Sequence, residues 1–237
     1  GDRQRAAILP TSATREEMPL SSFSWMGPSG RNAARSSGGA DPDFDDEAKK
    51  IFDSLGVSGT GGMGGARYNA CDPIWKHPTS GGTIYVGNVE AASNIDVLKK
   101  NGITNVVNCT DNMPLYHEGT AGINYYRFDI AGHWRFVKDG HSAIAFTRPM
   151  FEFVGGAVSR GESVLVHCLA GAHRAGTTGC ACLMHFGGLE ANNAIHVAKR
   201  LRPIIDPIGT LPQLLQHLQK GYAQAPQSSL YPETHFK

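Results

Sequence analysis

The stretch VLVHCLAGAHRAGTTG, from Val164 to Gly179, decides the fold of this chain. It opens on an apolar run, Val164 to Val166, which is typical of a buried strand in a parallel sheet. Small and flexible residues follow this run and allow the backbone to turn tightly. The next segment, residues 175–186, has the apolar spacing of a helix. The sequence therefore predicts a strand, a tight loop and a helix in direct succession.

The loop in this stretch begins with a thiol, Cys168, and ends with a guanidinium, Arg174. Consecutive backbone N–H groups at a helix N-terminus bind anions, and one arginine side chain binds two phosphate oxygens at once. The same positive groups favour the thiolate, which is the nucleophilic form of cysteine. Buried cysteines without a catalytic role are also common. His167 before the thiol and Gly171 within the loop favour catalysis, in which a phosphoryl group passes to sulfur and then to water.

Strands alternate with helices along the second part of the chain. Strands are predicted at residues 83–86, 103–109, 124–130 and 164–166, and helices at 91–101, 142–158, 175–186, 190–201 and from 211 onward. A loop is predicted at 131–140. This alternation predicts an α/β fold with a central, mainly parallel sheet flanked by helices. The phosphate-binding loop then lies at the carboxyl end of a central strand, where such sheets place their sites.

The residues His167, Cys168, Gly171 and Arg174 match the pattern HCxxGxxR and resemble the cysteine-dependent protein tyrosine phosphatases. The string IYVGNVEAASNIDVLKKNGITNVVNCT, residues 84–110, is similar to the opening of the dual-specificity branch of that superfamily. The resemblance extends from about residue 83 to residue 219. It implies metal-independent hydrolysis of phosphotyrosine and phosphoserine or phosphothreonine in proteins, with a phosphocysteine intermediate and no cofactor.

The resemblance also implies roles for the loop residues. The backbone N–H groups expected to hold the phosphate oxygens are those of Leu169, Ala170, Gly171, Ala172, His173 and Arg174. His167 orients the loop and assists the thiolate, and the His173 side chain either shapes substrate choice or is exposed and idle. Relatives carry Ser or Thr where this chain has Ala175. Either Thr177 or Thr178 replaces that hydroxyl, or both bond to the helix backbone and hydrolysis of the phosphocysteine is slow.

Relatives also use an aspartate to protonate the leaving oxygen. That residue lies on a loop before the helix that leads to the cysteine strand, and Asp139 has this position, so we favour it as the acid. Pairing along the strand instead places the family aspartate at Gly132, and Asp129 is then the alternative acid. His133 or His141 is a third option. The structural interpretations are a helix-start charge for Asp139 and a surface carboxylate at a strand end for Asp129.

Cys109 ends the strand that is predicted beside the Cys168 strand. In the kinase-associated phosphatase, a cysteine at the matching strand end bonds the nucleophile. This resemblance implies a reversible Cys109–Cys168 disulfide that protects the thiolate from overoxidation. The alternative is a small buried thiol with no redox role.

Composition excludes several other classes of function. Lys and Arg total 22 against 21 for Asp and Glu, a net charge of +1, which gives no support for a nucleic-acid or membrane surface. No apolar run is long enough for a transmembrane helix. Five cysteines without a regular framework indicate a reducing compartment, so we expect a cytoplasmic or nuclear location. None of them has the spacing of a zinc site, and no metal is expected.

The first 65 residues differ from the rest because they are rich in Gly and Ser, which predicts an N-terminal extension. A short amphipathic helix is predicted within it, at about residues 43–55, with Phe44 and Leu55 at the two ends of its apolar face. This helix either docks on the domain or binds a partner. Residues 66–222 are then the catalytic domain, and 223–237 form a C-terminal tail.

The predicted function is therefore a phosphatase that acts on phosphoprotein substrates. One alternative keeps the chemistry and changes the substrate to a phosphoinositide, a phosphoglucan or an RNA 5′-phosphate. The other alternative is a phosphoprotein-binding module of low activity. Ala175 and the competing positions of the acid, Asp139 and Asp129, favour it, whereas the intact Cys168 and Arg174 disfavour it.

Overall fold

The computed structural model describes residues 41–55, 68–120 and 122–224. Five strands form one sheet with the order β1-β2-β5-β3-β4. The strands are β1 (Cys71–Lys76), β2 (Thr83–Gly87), β3 (Ile103–Asn108), β4 (Asn124–Arg127) and β5 (Ser163–His167). The four strands β2 to β5 run parallel, and β1 pairs antiparallel with β2 at the edge. The predicted α/β fold with a mainly parallel sheet is confirmed.

Helices cover both faces of this sheet. They are α1 (Phe44–Ser54), α2 (Val89–Ser93), α3 (Ile95–Lys100), α4 (Gly140–Ser159), α5 (Arg174–Gly187), α6 (Ala191–Leu201) and α7 (Leu211–Gln224), with a 3-10 helix at Ile130–Arg135. The larger core cluster joins α4, α5 and α7 to one face, and a smaller cluster joins α2 and α3 to the other. Within the three described ranges, every helix is too short or too polar to cross a bilayer.

The central strand β5 is buried on both faces, as its uninterrupted apolar sequence requires. Val164, Leu165 and Val166 are each 0% exposed, and their side chains divide between the two core clusters. In β5 the register pairs His167 with Gly87 of β2 and with Asn108 of β3. The residue that follows β5, Cys168, therefore lies at the carboxyl edge of the sheet, between the ends of two neighbouring strands.

Three elements differ from the sequence-based expectation. The single helix predicted at 91–101 is two helices, because Asn94 adopts an extended conformation and its side chain caps a new helix at the Asp96 and Val97 N–H groups. Strand β4 ends at Arg127, so Asp129 is not in the strand, and the predicted loop at 131–140 begins as the 3-10 helix. Strand β1 was not predicted, because Pro73 interrupts its pattern and is tolerated only at a sheet edge.

Candidate active site

The loop from Cys168 to His173 joins β5 to α5, and its carbonyl oxygens are bonded to groups outside the loop. The oxygens of Leu169, Ala170, Gly171 and Ala172 all accept hydrogen bonds. Their donors are the Val89 N–H (3.0 Å), the Tyr68 hydroxyl (2.6 Å), Arg202 Nε (3.1 Å) and the Asp206 N–H (3.1 Å), in that order. Since the carbonyl and N–H of one peptide unit point in opposite directions, this arrangement turns the N–H groups towards the loop interior.

Gly171 makes the tight turn of the loop possible. Its φ is +69°, and a Cβ at this position would lie 2.4 Å from the Gly87 oxygen, so only glycine fits. The Gly171 N–H points at Cys168 Sγ, at 3.3 Å. A backbone donor at this distance stabilises negative charge on the sulfur.

Arg174 begins α5 and is 5% exposed, beside the buried Cys168. Burial opposes its charge, but the Cys168 thiolate and the Asp45 carboxylate raise the pKa of Arg174 above its ordinary value. Its Nη2 donates to Asp45 Oδ1, and its guanidinium lies 5.8 Å from the Phe44 ring centre. A buried thiol and a permanently charged guanidinium thus interact directly, an arrangement that suits an oxyanion.

A second arginine, Arg202, supports the loop from behind, and sequence reasoning assigned it no role. It is 1% exposed, and its guanidinium lies 5.1 Å from the Tyr68 ring centre. It donates to the oxygens of Gly171 (3.1 Å), Ala170 (3.2 Å), Asn69 (2.9 Å) and Asp72 Oδ2 (2.6 Å). The only signal in the sequence was its place at the end of a helix before Pro203.

Tyr68 and Asn88 complete this support. Burial raises the pKa of Tyr68 to about 12, so its hydroxyl stays protonated and donates to the loop. Asn88 caps α2 through the Ala91 N–H (3.0 Å) and donates to the Tyr68 hydroxyl (3.1 Å). The side chains of Tyr68 and Arg202 and the N–H groups of Val89 and Asp206 therefore hold the loop in this shape.

The model of the dual specificity phosphatase catalytic domain matches residues 84–220, which is more than half of the chain. The chain belongs to the dual specificity phosphatase family. It is 33% identical to human dual specificity protein phosphatase 9 over 124 residues, 52% of this chain and 31% of that protein. It is 32% identical to the Drosophila melanogaster phosphatase Mpk3 over 126 residues, 53% of this chain and 29% of that protein. The chain thus spans about a third of the length of these relatives.

Solved structures agree on the fold. Human DUSP28 superimposes with a TM-score of 0.54 at 23% identity, over 66% of this chain and 97% of that chain. A mouse putative dual specificity phosphatase, crystallised with zinc tungstate, gives 0.54 at 23% identity over 73% of this chain and 99% of that chain. Both likenesses describe the catalytic fold and do not extend to a substrate.

The histidines on either side of the loop interior, His167 and His173, are both buried. His167 is 0% exposed, and burial lowers its pKa to about 4, so it is neutral at physiological pH. His173 is 5% exposed, and its Nδ1 lies 2.6 Å from the Asp206 oxygen. The alternative of an exposed and idle His173 is therefore wrong, because the side chain is buried and ties the loop to the segment before α7.

The threonines of α5 bond to the backbone. Thr177 Oγ1 donates to the His173 oxygen at 2.7 Å, and Thr178 Oγ1 donates to the Arg174 oxygen at 3.0 Å. Ala175, at the position where relatives carry a hydroxyl, is 0% exposed. Of the two interpretations of these threonines, the contacts match the one in which each hydroxyl bonds to the preceding turn.

The two candidate acids lie in different places. Asp139 is exposed and caps α4, where its Oδ1 accepts from the Ser142 N–H (2.8 Å) and hydroxyl (2.7 Å). These hydrogen bonds hold the pKa of Asp139 below its ordinary value. The next residue, Gly140, packs against Gly221 of α7. Gly221 lies ten residues, or about 15 Å, along α7 from Leu211, the first residue of that helix. The segment around Asp206, whose N–H bonds to the Ala172 oxygen of the loop, comes before Leu211 in the chain. Asp139 therefore lies near the end of α7 that is farther from this segment.

Asp129 lies at the carboxyl edge of the sheet. The Phe128 N–H bonds to the Asn108 oxygen at 2.8 Å, which carries the chain past the end of β3. Asp129 Oδ1 accepts from the Gly132 N–H (3.1 Å), and Oδ2 accepts from Arg135 (2.9 Å). A Cβ at Gly132 would lie 2.5 Å from Asp129 Oδ2. The Asp129 carboxylate therefore fills the space next to the position at which strand pairing places the family acid.

The two alternative histidine acids are placed differently from each other. His133 is 3% exposed and contacts the Ile130 oxygen at 2.9 Å, and burial lowers its pKa. His141 is exposed in the first turn of α4, beside Asp139. Neither ring contacts Cys168 or Arg174 among the hydrogen bonds of the described residues.

Cys109 is the immediate neighbour of Cys168 across the sheet. Its N–H bonds to the His167 oxygen at 2.8 Å, and its Sγ donates to Thr178 Oγ1 at 3.3 Å. The thiol is 0% exposed, and burial raises its pKa well above the ordinary value for cysteine. Both Cys109 and Cys168 are free thiols.

Proposed function

We propose that this chain is a metal-independent protein phosphatase that hydrolyses phosphotyrosine and phosphoserine or phosphothreonine through a phosphocysteine at Cys168. One observation carries the proposal. Cys168 lies in a loop whose four carbonyl oxygens from residue 169 to residue 172 are all bonded outwards, beside a buried Arg174. Such a loop offers N–H donors and one guanidinium to the oxygens of a phosphoryl group, with a nucleophile at its base.

In the first step, Cys168 Sγ attacks phosphorus in line with the bond to the leaving oxygen. The S–P bond forms as the P–O bond breaks. The three remaining phosphoryl oxygens are held by the loop N–H groups and by Arg174, which offset the negative charge in the transition state. The leaving oxygen takes a proton from a general acid, and the alcohol or phenol departs.

We assign that proton to Asp129. Its carboxylate lies at the same edge of the sheet as Cys168 and next to Gly132, the position at which strand pairing places the family acid. Asp139, which the order of sequence elements favours, is engaged in the cap of α4 at the other end of α7. Arg135, which pairs with Asp129, orients the carboxylate.

In the second step, water attacks phosphorus, the P–S bond breaks, and phosphate and the Cys168 thiolate are released. The same carboxylate accepts the proton of the water. Because Ala175 carries no hydroxyl and Thr177 bonds to the backbone, the departing thiolate lacks the neutral donor that relatives have. We therefore expect this step to be slow and the phosphocysteine to accumulate.

A phosphoprotein-binding module of low activity is the second candidate. The observations that favour it are the glycine at the family acid position and the alanine after Arg174. Both candidates bind phosphorylated peptides, but only the phosphatase releases phosphate from them.

The decisive experiment is hydrolysis of para-nitrophenyl phosphate and of phosphotyrosine and phosphothreonine peptides in EDTA with reductant. The wild-type chain is compared with Cys168→Ser. We expect release of phosphate from both peptide classes that is lost in the variant, with a burst of nitrophenol in the wild type. A folded wild-type chain that binds phosphopeptide without releasing phosphate would establish the binding module. Activity that survives Cys168→Ser would refute cysteine catalysis.

A further inference from the structure

Helix α1 lies outside the matched catalytic domain, yet it packs directly against the phosphate-binding loop. Ala48 is 2% exposed and packs with Ala170 and Ala172 of the loop. Phe44, at the start of the helix, joins the main core cluster that contains Cys168. The helix belongs to the same compact unit as the rest of the described chain.

The first turn of α1 is acidic, and one of its carboxylates is bonded differently from the others. Asp46 pairs with Lys49 (2.8 Å) and Glu47 pairs with Lys50 (2.6 Å), both within the helix and exposed. Asp45 instead pairs with Arg174 of the active site. The helix has two lysines, Lys49 and Lys50, and both pair with the neighbouring acids, so the partner of Asp45 lies outside the helix and this pairing depends on where the helix lies.

The Asp45 carboxylate competes with a phosphoryl group for the same donor. A carboxylate oxygen and a phosphate oxygen both accept charge-assisted hydrogen bonds from a guanidinium, so the Asp45 carboxylate takes up an Nη2 donor that a phosphate bound through two oxygens would use. With α1 in place, Cys168 is 2% exposed and Arg174 is 5% exposed. A phosphate monoester must reach both residues.

We propose that α1 is an autoinhibitory helix whose Asp45 carboxylate stands in for phosphate on Arg174. Substrate binds after α1 has left the loop. This inference rests on the proposed function of the loop, and its test includes a measurement that does not require turnover.

A second contact, between Asp41 and Thr210, holds the start of α1 without involving Arg174 or Cys168. This contact makes a separate test possible. Asp41 Oδ1 accepts from the Thr210 N–H at 2.7 Å, and Oδ2 accepts from the Thr210 hydroxyl at 2.7 Å. Loss of these two hydrogen bonds weakens the docking of α1 on the loop and leaves the residues Asp45, Arg174 and Cys168 unchanged.

The first measurement is the steady-state kinetics of para-nitrophenyl phosphate hydrolysis by the full chain carrying Asp45→Ala or Asp41→Ala. When only a fraction of molecules is open, the apparent affinity falls by that fraction, while saturating substrate still reaches the full rate. We expect each variant to lower KM by about fivefold or more, with kcat within about twofold of wild type. The matched control is Asp46→Asn, in the same turn, which should leave both constants unchanged.

The second measurement is the rate at which iodoacetamide alkylates Cys168, with and without orthovanadate as competitor. We expect Asp45→Ala and Asp41→Ala to speed alkylation by about fivefold or more, and orthovanadate to protect the variants at lower concentration than wild type. Faster alkylation in a chain without turnover would refute the proposed function and support the inference.

Two outcomes would overturn the inference. In one, both variants show wild-type KM and wild-type alkylation, so that α1 does not restrict the site. In the other, Asp45→Ala lowers kcat without faster alkylation, which would make Asp45 a proton donor.

Discussion

At the scale of single residues, our assignment of the acid rests on Gly132, the position at which strand pairing places the acid of the family. A glycine there leaves room, and the Arg135 guanidinium and the Asp129 carboxylate occupy it, with Asp129 Oδ2 at 2.5 Å from the place of the missing Cβ. The same carboxylate is held on both oxygens, by the Gly132 N–H and by Arg135. A carboxylate that is fixed in this way has the orientation that proton transfer requires.

The role of Asp129 predicts a loss that depends on the leaving group. Asp129→Asn should lower kcat/KM for phenyl phosphate by roughly 10²-fold or more, because the phenolate then leaves without a proton. The loss should be much smaller for para-nitrophenyl phosphate, since nitrophenolate is a good leaving group. The measurement is kcat/KM for both substrates at neutral pH, because this constant reports the step in which the leaving group departs.

The comparison variant is Asp139→Asn, which keeps the cap of α4 because Asn caps as well as Asp. We expect it to show no dependence on the leaving group. The opposite pattern, with a large loss for phenyl phosphate only in Asp139→Asn, would return the acid role to Asp139.

The neighbouring thiols Cys109 and Cys168 predict a second property at this scale. The residues follow paired positions of β3 and β5, and neighbouring strands lie about 4.8 Å apart, within the range of Cα separations in disulfides. Peroxide oxidises the Cys168 thiolate to a sulfenic acid, and attack by Cys109 then forms the disulfide and releases water. Burial, which raises the pKa of Cys109, disfavours its thiolate and slows this step.

We therefore expect mild peroxide to produce a Cys109–Cys168 linked peptide, detectable by intact-mass mapping, and reductant to restore activity. Cys109→Ser should convert this reversible loss into irreversible overoxidation of Cys168. The control is Cys182→Ser, a buried thiol in the middle of α5. No linked peptide in the wild type would leave Cys109 as a small core residue.

At the scale of elements, the phosphate-binding loop depends on the segment after α6. Arg202 ends that helix, pairs with Asp72 of β1 at 2.6 Å and donates to the Ala170 and Gly171 oxygens. The pair is almost fully buried, so removal of either partner leaves an uncompensated charge. The N–H groups of the loop point inwards only while these carbonyls stay bonded outwards.

Arg202→Lys keeps the positive charge but should weaken the hydrogen bonds that hold the loop. A lysine cannot reproduce the planar set of donors, so we expect the free energy of unfolding to fall by about 2–3 kcal/mol. Orthovanadate should inhibit the variant less strongly, as a measure of loop geometry. Urea unfolding and inhibition curves check both effects. The exposed neighbour Arg200→Lys is the control, and equal behaviour of the two variants would refute this support.

The elements that sequence reasoning predicted are those with local signals. The apolar run of β5, the glycine of the loop and the spacing of α5 lie within one stretch, and the structure has all three. The support by Tyr68 and Arg202 depends on contacts between residues far apart in the chain, such as the Tyr68 hydroxyl on the Ala170 oxygen and Arg202 on Asp72, each more than 100 positions apart. No local pattern predicts such contacts. The pairing of Asp45 with Arg174 escaped prediction for the same reason.

At the scale of the whole molecule, the packing of both sheet faces buries several histidines in the neutral form. Burial lowers the pKa of His167 to about 4 and that of His185 to about 4, from an ordinary value of 6.5. His133 shifts in the same direction, also because of burial. Since the unfolded chain takes up protons on these rings at a higher pH than the folded chain, stability is full above pH 6.5 and is lost as the pH falls towards 4.

This linkage predicts a drop in the free energy of unfolding between pH 7.5 and pH 5.5. Each ring with a folded pKa near 4 contributes about 1.4 kcal/mol over that interval, so His167 and His185 together contribute about 3 kcal/mol. Urea unfolding at the two pH values measures it. His185→Phe keeps a ring that stacks on Phe151, where the present separation is 4.1 Å, and should remove about half of the drop. The carboxylates with lowered pKa, such as Glu162, titrate below this interval. A pH-independent stability from 7.5 to 5.5 would mean that these rings gain protons in the folded chain as readily as in the unfolded one.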